Sequence, residues 1–366
     1  MDAITDRNIR LYYESALKLH LPVDYIPELN TMQITLGGRN YYFSSTITPI
    51  NNGGGIFISR NKYKFNKLLE SYNFPVPNAV AVSKENFERG FLADLIKDLQ
   101  FPVVAKPIQD TGRGKDVFCG IKDIETLSNY LRSCFEHYAF MQVEEFHTGL
   151  KEYRVLVLKN RVIGVVQRFG AEVIGDGKHS IRQLIDIKNE ERIKLSPTLT
   201  ISPLVIDEEY KTCLAEQGLS VDSTPSPGQK VRLSYTANTG RGGEIFSLGK
   251  KIKKENAKIL CTAAKIAGLD IVGMDVLCED INLSFKKSKW LIIEGNFAPD
   301  TTIHEIPNYG EKVNVTQLIL KKIISRHPLS YLSHLFTNSK FSVFIKGILI
   351  ITVLGILIAS LRLAVG

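Results

Sequence analysis

A lysine and the glycine-rich loop that follows it are the first residues of the chain that could do chemistry. Lys106 ends the apolar run FPVVAK, and the stretch QDTGRGKD after it contains Gly112, Arg113 and Gly114. Glycines let backbone N–H groups approach an anion closely, and a lysine at a strand end adds a fixed positive charge. The pattern favours a phosphate-binding loop, although an exposed turn with solvated charges explains this stretch equally well. It is not a Walker A loop, because no Gly-Lys-Ser/Thr follows.

Hard oxygen ligands form a second group of candidates. Asp275 lies in GMDVL, and Glu294 and Asn296 lie in IIEGN. Residues two apart on a strand project to the same side, and a paired strand can place Asp275 beside them. Carboxylates that share the metal with water and phosphate are what Mg²⁺ prefers. Solvated strand ends are the alternative; we disfavour it because both acids interrupt apolar runs and a buried carboxylate needs a partner.

A third group lies in the stretch VEEFHTGLKEYRVLV. Glu144 and Glu145 end an apolar segment beside Phe146, and Glu152 and Arg154 begin the next one. As a hinge, this stretch could hold an adenine edge by backbone hydrogen bonds and a ribose by Glu152. Taken alone the indication is weak, because charged residues commonly flank hairpins.

The elements that must position these residues are predicted from periodicity and turn signals. Helices are expected over residues 61–73, over 123–137 with Asp123 as the N-cap, and over 253–268 with Gly268 as the end. Strands are expected over 101–106 and 139–146 and around GMDVLCED and KWLIIEGN, with an antiparallel hairpin turning at Lys159 and Asn160. The order of elements predicts a mixed α+β fold in which sheets from two segments face one another.

Composition excludes several classes of protein. With 366 residues, the chain is long enough for two or three packed units. The five cysteines are scattered and include no C-x-x-C pair, which indicates neither a disulfide framework nor a zinc site. The formal net charge is +8, but no basic run is interleaved with aromatic residues, so we expect no nucleic-acid partner. A homo-oligomer is left open.

The last part of the sequence is apolar. The run GILIITVLGILIASL lies between Lys346 and Arg362 and carries no charge, and FSVFI precedes it. Lysine and arginine side chains can reach the membrane surface, so a single transmembrane helix over 346–363 is predicted, with a buried helix or an oligomer contact as the alternative. The basic residues lie mainly before this run, and the first residues, MDAITDRNIR, do not look like a signal peptide. We therefore expect a single-pass C-terminal anchor with the body on the cytoplasmic side.

Taken together and in this order, the motifs resemble the ATP-grasp superfamily. The segments VIGDGKHSIRQLI (173–185) and LAEQGLSVDSTPSPGQKVRLSYTANTGRGGE (214–244) are similar to the ATP-grasp domain of cyanophycin synthetase and of the bifunctional bacterial glutathione synthetases. The resemblance covers about residues 55–325. It implies an ATP-grasp fold, in which two α/β subdomains sandwich ATP, and Mg²⁺, or Mn²⁺ in its place, as the metal.

The resemblance also implies roles for the residues that match. The nucleotide would be bound by Lys106, Gly112, Arg113, Gly114, Glu144, Glu145, Phe146 and Glu152. The metal would be held by Asp275, Glu294 and Asn296, and the transferring phosphoryl group would lie near Arg154, Arg168, Asn238 and Arg241. Arg241 and Asp300 replace residues that are small in the relatives, which implies a different substrate.

The implied activity is a Mg-ATP-dependent carboxylate–amine ligase that forms an amide or peptide bond on an amino acid or short peptide, through an acyl phosphate. The alternatives are a stand-alone enzyme similar to glutathione synthetase and a membrane-tethered nucleotide-binding protein without turnover. The corresponding organisation is a lead-in unit over 1–55, an ATP-grasp domain over 56–325, a linker over 326–345 and the tail helix. Within the ATP-grasp domain, 56–140 and 141–325 form the two parts, and an insertion lies near 190–250. For His304, loop packing is favoured over contact with substrate.

Overall fold

The computed structural model describes residues 4–109, 115–196, 199–337 and 339–365. Its helices are α1 (Arg7–Lys18), α2 (Gly53–Arg60), α3 (Lys62–Ser71), α4 (Lys84–Glu88), α5 (Leu92–Ile96), α6 (Ile124–Cys134), α7 (Ile181–Leu195), α8 (Glu208–Glu216), α9 (Lys254–Ile266), α10 (Thr302–Glu305), α11 (Val315–Arg326), α12 (Pro328–Thr337) and α13 (Ser339–Val365). Its strands are β1 (Val23–Ile26), β2 (Thr31–Leu36), β3 (Arg39–Phe43), β4 (Ala79–Ser83), β5 (Val103–Pro107), β6 (Phe118–Ile121), β7 (Phe140–Glu145), β8 (Lys151–Leu158), β9 (Arg161–Phe169), β10 (Glu172–Ile174), β11 (Lys230–Arg232), β12 (Glu244–Leu248), β13 (Ile271–Cys278), β14 (Trp290–Asn296) and β15 (Tyr309–Glu311).

These elements form two compact units. The terminal unit contains the residues up to Pro49 and those from Asn314 onwards, and the central unit is Ile50–Val313. In the terminal unit, β1, β2 and β3 form an antiparallel sheet, and α1 packs on α11 through a 2.7 Å hydrogen bond between the Ser15 and Thr316 hydroxyls. The two ends of the sequence therefore fold together.

Two larger sheets build the central unit. One has four strands in the order β4-β7-β5-β6, and the other has six in the order β14-β13-β8-β9-β12-β15. Mixed α/β sheets of this kind fit the fold class expected from the sequence.

Local sequence signals account for several element boundaries. Asp123 caps α6 by accepting a 2.7 Å hydrogen bond from the Thr126 amide, which confirms the predicted N-cap. The predicted hairpin is formed by β8 and β9, and Lys159 turns the chain in the left-handed region at φ 54°. Gly268, at φ 68°, follows α9 as expected of a residue that ends a helix.

Strand periodicity decides which side chains of β8 reach the site. Tyr153, Val155 and Val157 are buried in the core that α9 covers. Side chains alternate along a strand, so Glu152 and Arg154 project from the opposite face of the six-stranded sheet. The same core that stabilises the sheet thus directs two charged residues to its other side.

A small subdomain is inserted after β9. Its core joins β10, β11, α7 and α8 around residues such as Ile181, Tyr210 and Leu233. Ser180 begins α7 with a capping box, in which its hydroxyl accepts from the Gln183 amide and the Gln183 side chain accepts from the Ser180 amide.

The apolar end of the chain is helical. Helix α12 occupies Pro328–Thr337, within the range predicted as a linker, because proline is well accommodated in the first turn of a helix and no other proline or glycine follows before residue 347. Within the described residues, Ser342–Leu361 is the one helical segment long and apolar enough to cross a membrane; it has 20 residues, and 6% of it is buried.

Candidate active site

Asp275 is the centre of the charged cluster on the six-stranded sheet. It lies on β13, opposite Arg154 of β8 on one side and Glu294 of β14 on the other. The Arg154 guanidinium donates to both carboxylate oxygens of Asp275, through Nε and, at 2.8 Å, through Nη2. Arg168 Nη1 donates to the same carboxylate at 3.0 Å. Asp275 is 2% exposed, so burial strengthens both ion pairs.

Glu294 and Asn296 project from the same side of β14, as the spacing of two predicts. The side-chain amide nitrogen Nδ2 of Asn296 donates to Glu294 Oε1 at 2.9 Å. Burial alone would raise the pKa of Glu294, but Lys62, Arg154 and Lys106 hold it well below its usual range. The carboxylate is therefore ionised and faces several cations.

Lys106 approaches this cluster from the four-stranded sheet. It lies on β5, is 6% exposed, and its ammonium donates to Glu144 Oε1 at 2.5 Å. Burial lowers its pKa, but the carboxylates of Glu144 and Glu294 outweigh this and raise it. Gln142 on β7 donates to the other oxygen of Glu144 at 2.6 Å. The charges of Lys106 and Glu294 each shift the pKa of the other, so the two sheets bring these side chains near one another.

The hinge residues at the end of β7 are engaged within the protein. The Glu145 carboxylate accepts from the Gln100 amide at 3.2 Å and from the Asn78 side chain at 3.3 Å. The amides of Glu145 and Phe146 donate to the carbonyls of Asn78 and Pro102. An adenine edge at this hinge would therefore have to use backbone groups other than these two amides.

Glu152 is held by Arg168 on the neighbouring strand. Its carboxylate forms an ion pair with Arg168, with Oε1 2.8 Å from Nη1. Burial raises its pKa to about 7, because the lowering by Arg168 is smaller than the combined effect of burial and the nearby negative charge of Asp275. Glu152 therefore titrates near neutral pH.

Asn238 and Arg241 lie in a tight turn that is fixed by its own contacts. The Asn238 side chain accepts from the Gly240 amide at 2.8 Å. Arg241 forms ion pairs with Asp207 and, at 2.9 Å, with Glu209, and its carbonyl accepts from the Tyr210 hydroxyl at 2.9 Å. In this structure, the Arg241 charge is directed to two acids of the inserted subdomain.

The remaining predicted residues are those of the glycine-rich loop, and one cleft elsewhere was compared with the predicted site. Gly112, Arg113 and Gly114 lie outside the described residues. A cleft of about 820 Å³ between α4 and α6 contains none of the predicted site residues.

Lys62 is a site residue that the sequence did not single out. It begins α3, and its positive charge is the strongest of those that lower the pKa of Glu294. Two other lysines of α3 are engaged elsewhere, since Lys64 lies over the Phe57 ring and Lys67 pairs with Glu70. Asn66 is 2% exposed and donates to the Ile293 carbonyl at 3.2 Å. Lys62 reaches the site because α3 packs against β14, and no local sequence signal reports that packing.

His304 on α10 packs against the sheet. Its ring is fully buried, and neither ring nitrogen has a hydrogen-bond partner. Burial lowers its pKa to about 3, and the charge of Arg154 contributes. The ring lies over Gly164, where an added Cβ would come within 2.6 Å of Nδ1. This position agrees with the loop-packing role expected for it.

The donor set fits a magnesium nucleotide. Four cations, Lys62, Lys106, Arg154 and Arg168, interact with four acids, Glu144, Glu152, Asp275 and Glu294. Phosphate oxygens would find cations on both sheets, and Mg²⁺ would find Asp275, Glu294 and the amide oxygen of Asn296. Within the described residues, no group of three or more His, Cys, Asp or Glu side chains could hold a metal by itself.

Comparisons with known proteins agree with this geometry. No family model matches the chain. It is 30% identical over 294 residues to cyanophycin synthetase of Crocosphaera subtropica, a match that covers 79% of this chain and 33% of the relative. It is also 30% identical over 270 residues to the glutathione biosynthesis bifunctional protein of Clostridium perfringens, covering 72% of this chain and 34% of that one. The chain thus spans about a third of the length of these curated relatives.

A solved structure shows the fold. The bifunctional glutathione synthetase of Pasteurella multocida superposes with a TM-score of 0.58 at 23% identity, and the match covers 87% of this chain and 43% of that chain. The chain therefore has the ATP-grasp fold, and over most of its length it resembles the ATP-grasp ligases named cyanophycin synthetase and bifunctional glutathione synthetase.

Proposed function

We propose that the protein is an ATP-dependent carbon–nitrogen ligase, which uses Mg²⁺ and ATP to activate a carboxylate as an acyl phosphate and joins it to an amine. The observation that carries the proposal is the charge interaction of Lys106 on one sheet with Glu294 on the other, where Glu294 lies beside Asp275 and Arg154. The names of the relatives support amino acids or short peptides as the substrate class.

The residues of the chain would act by binding and orientation. Lys106 and Lys62 would bind phosphate oxygens, and Arg154 and Arg168 would offset the negative charge that develops on the transferring phosphoryl group. Asp275, Glu294 and Asn296 would hold Mg²⁺, which when bound neutralises phosphate charge. Before the nucleotide enters, these acids are held in place by ion pairs, part of which Mg²⁺ would have to displace. No side chain of the protein is required as a nucleophile.

A phosphate-release assay tests the proposal. The full chain in detergent, with ATP and Mg²⁺, is incubated with pools of amino acids and dipeptides, and released phosphate and new amide products are measured. Glu294→Gln should abolish substrate-dependent release by removing one charge from the metal site without changing the side-chain volume. Glu88→Gln is the matched control, because Glu88 is an exposed acid on α4, outside the site. Equal turnover in Glu294→Gln and the unaltered protein would contradict the metal assignment.

The same assay separates the alternatives. γ-Glutamylcysteine with glycine is included as one pool, because a relative is named for glutathione biosynthesis. Turnover confined to that pool would favour a glutathione-synthetase-like enzyme. Tight ATP binding without turnover in any pool would favour a nucleotide-binding protein that lacks ligase activity.

We further propose that α13 anchors the protein in a membrane and keeps the central unit on the cytoplasmic side. Ser342–Leu361 has the length of a membrane span, and its side chains are largely exposed in the folded chain. Lys340 and Lys346 stand near its N-terminal end and Arg362 near its C-terminal end. With the basic residues Lys321, Lys322 and Arg326 also before it, the positive-inside rule favours this orientation.

A further inference from the structure

The chain carries only positive side-chain charge from Lys312 to its last residue. No aspartate or glutamate occurs in this stretch, and its basic residues are Lys312, Lys321, Lys322, Arg326, Lys340, Lys346 and Arg362. The stretch includes α11, α12 and α13. An acid-free segment of this kind is attracted to anionic surfaces.

One side of helix α12 contacts other elements of the terminal unit. Directly before the first residue of α12, His327 Nε2 and the Tyr41 hydroxyl of β3 are 2.5 Å apart. One turn later, the Tyr331 hydroxyl donates to the Leu19 carbonyl at the end of α1, at 2.7 Å. These two contacts lie four residues apart and so on one face. They fix the orientation of α12 on the terminal unit.

The opposite face of α12 is apolar and exposed. Leu329 is 80% exposed and Leu332 is 52% exposed, and half-buried Phe336 continues the same stripe at helical spacing. Leucines at this exposure, next to a helix that is itself apolar and exposed, are unfavourable in water. We therefore expect another apolar surface to cover this stripe.

We propose that this face of α12 lies in the interfacial region of a bilayer that contains anionic lipids, at the surface where α13 enters it. The inference rests on the anchoring role proposed for α13. Apolar side chains would enter the boundary between headgroups and acyl chains, and the basic residues around them would contact anionic headgroups. The two contacts to β3 and α1 would then set the orientation of the terminal unit against the membrane.

Charge favours an anionic lipid surface over a second copy of the same face. Lys321 and Arg326 precede α12 and are exposed, and Lys346 follows it, also exposed. Two copies meeting through this face would bring these cations together without any acid from the same stretch. A bilayer supplies both the apolar environment and the opposite charge.

Depth-dependent fluorescence quenching tests the inference on the full chain. The variant Leu332→Trp is made with Trp290→Phe, so that the introduced indole is the only one, and is reconstituted into vesicles with brominated acyl chains. Vesicles of phosphatidylcholine alone are compared with vesicles that also contain phosphatidylglycerol. The control is Leu29→Trp in the same background, because Leu29 is 63% exposed in the terminal unit but lies outside α12.

We expect quenching of the Leu332→Trp variant to exceed that of the control by about twofold, and to increase when phosphatidylglycerol is present. Replacing Lys321 and Arg326 by glutamine should remove the dependence on phosphatidylglycerol while vesicle incorporation persists. A protein that enters the vesicles with equal quenching at both positions overturns the inference alone. A protein that enters neither kind of vesicle overturns the anchor and the inference with it. Quenching that disappears while copies cross-link through α12 would assign the face to a second copy, and would also overturn it.

Discussion

At the scale of single residues, Asp275 decides how the charges of the site are balanced. Its carboxylate accepts from Arg154 and Arg168, and it stands beside Glu294. A buried acid and a half-buried acid this close would repel one another without the arginines. Under the proposed metal assignment, Mg²⁺ and the two guanidinium groups would compete for the same oxygens, so binding of Mg²⁺ would rearrange these ion pairs.

Removal of Arg154 should make the protein less stable and more responsive to Mg²⁺. Arg154→Gln leaves Asp275 and Glu294 with fewer positive neighbours, and breaking a buried pair costs about 3 kcal/mol of unfolding free energy. Mg²⁺ without nucleotide should recover part of this loss, because it binds the two acids in place of the guanidinium. Thermal unfolding with and without Mg²⁺ measures both effects. Arg161→Gln, at an exposed position on the same hairpin, should show neither.

Glu152 should make stability depend on pH. Its folded-state pKa is raised to about 7, so the folded protein holds a proton that the unfolded chain releases near the ordinary value of 4.5. The contribution of Glu152 to the free energy of unfolding is fully present below its pKa in the unfolded chain, and it is lost as the pH rises through 7. At about 1.4 kcal/mol for each tenfold change in proton affinity, the loss is up to about 3 kcal/mol.

The variant Glu152→Gln lacks this titration. The difference in unfolding midpoint between it and the unaltered protein should therefore increase in favour of the variant from pH 5 to pH 8. Glu172→Gln, an acid on β10 outside the charge cluster, serves as the control for general effects of pH. A constant difference across that range would mean that Glu152 is ionised throughout.

From the sequence, site residues could be grouped only where they alternate along a single strand. Glu294 and Asn296 could be paired because they are two apart on one strand, and their hydrogen bond bears this out. Lys62 could not be found in this way, since its position depends on how α3 packs against β14. The ion pairs of Arg241 with Asp207 and Glu209 likewise depend on the folding of the inserted subdomain.

At the scale of elements, the contact of α10 with β9 requires a glycine. An added Cβ at Gly164 would lie 2.6 Å from Nδ1 and 2.9 Å from Cε1 of His304. We expect Gly164→Ala to lower the unfolding free energy by about 1–3 kcal/mol, as overpacking of a core does. Gly53→Ala is the control, because nothing lies within 4 Å of its added Cβ.

A double variant tells whether His304 itself is the obstacle. His304→Ala removes a ring whose two nitrogens lack partners, so relief from burying them offsets part of the lost packing. Gly164→Ala combined with His304→Ala should then be less destabilised than the sum of the single changes, because the clash is absent. Additive losses would show that Gly164 is needed for a different reason.

The sequence predicted the individual helices and strands better than it predicted how they pack together. The hairpin of β8 and β9, the cap at Asp123 and the end of α9 at Gly268 all follow from residues close together in the chain. The pairing of β13 with β8 joins residues more than a hundred positions apart, and no local pattern specifies it. The same holds for α1 against α11, which brings the first and last folded segments into one unit.

At the scale of the whole molecule, chemistry and apolar surface are found in different parts of the chain. The charged cluster lies entirely in the central unit, whereas α13 belongs to the terminal unit. This separation means that changes in α13 can be tested without touching a residue of the site. Catalysis and membrane attachment can therefore be measured independently.

Two charges placed in the middle of α13 should release the protein from membranes. Val353→Arg and Leu357→Arg lie one turn apart, and arginine at the centre of a span costs about 3 kcal/mol each. We expect the unaltered chain in the pellet after alkaline carbonate extraction, and the double variant in the supernatant with its phosphate-release activity intact. Val205→Arg with Leu283→Arg, at exposed apolar positions of the central unit, should stay in the pellet. If the double variant instead remained membrane-bound, α13 would be a contact between copies. The same would hold if it changed only the size of a soluble oligomer. A helix that spans lipid is destabilised in the membrane by a charge at its midpoint, whereas the activity of the enzyme attached to it is not affected.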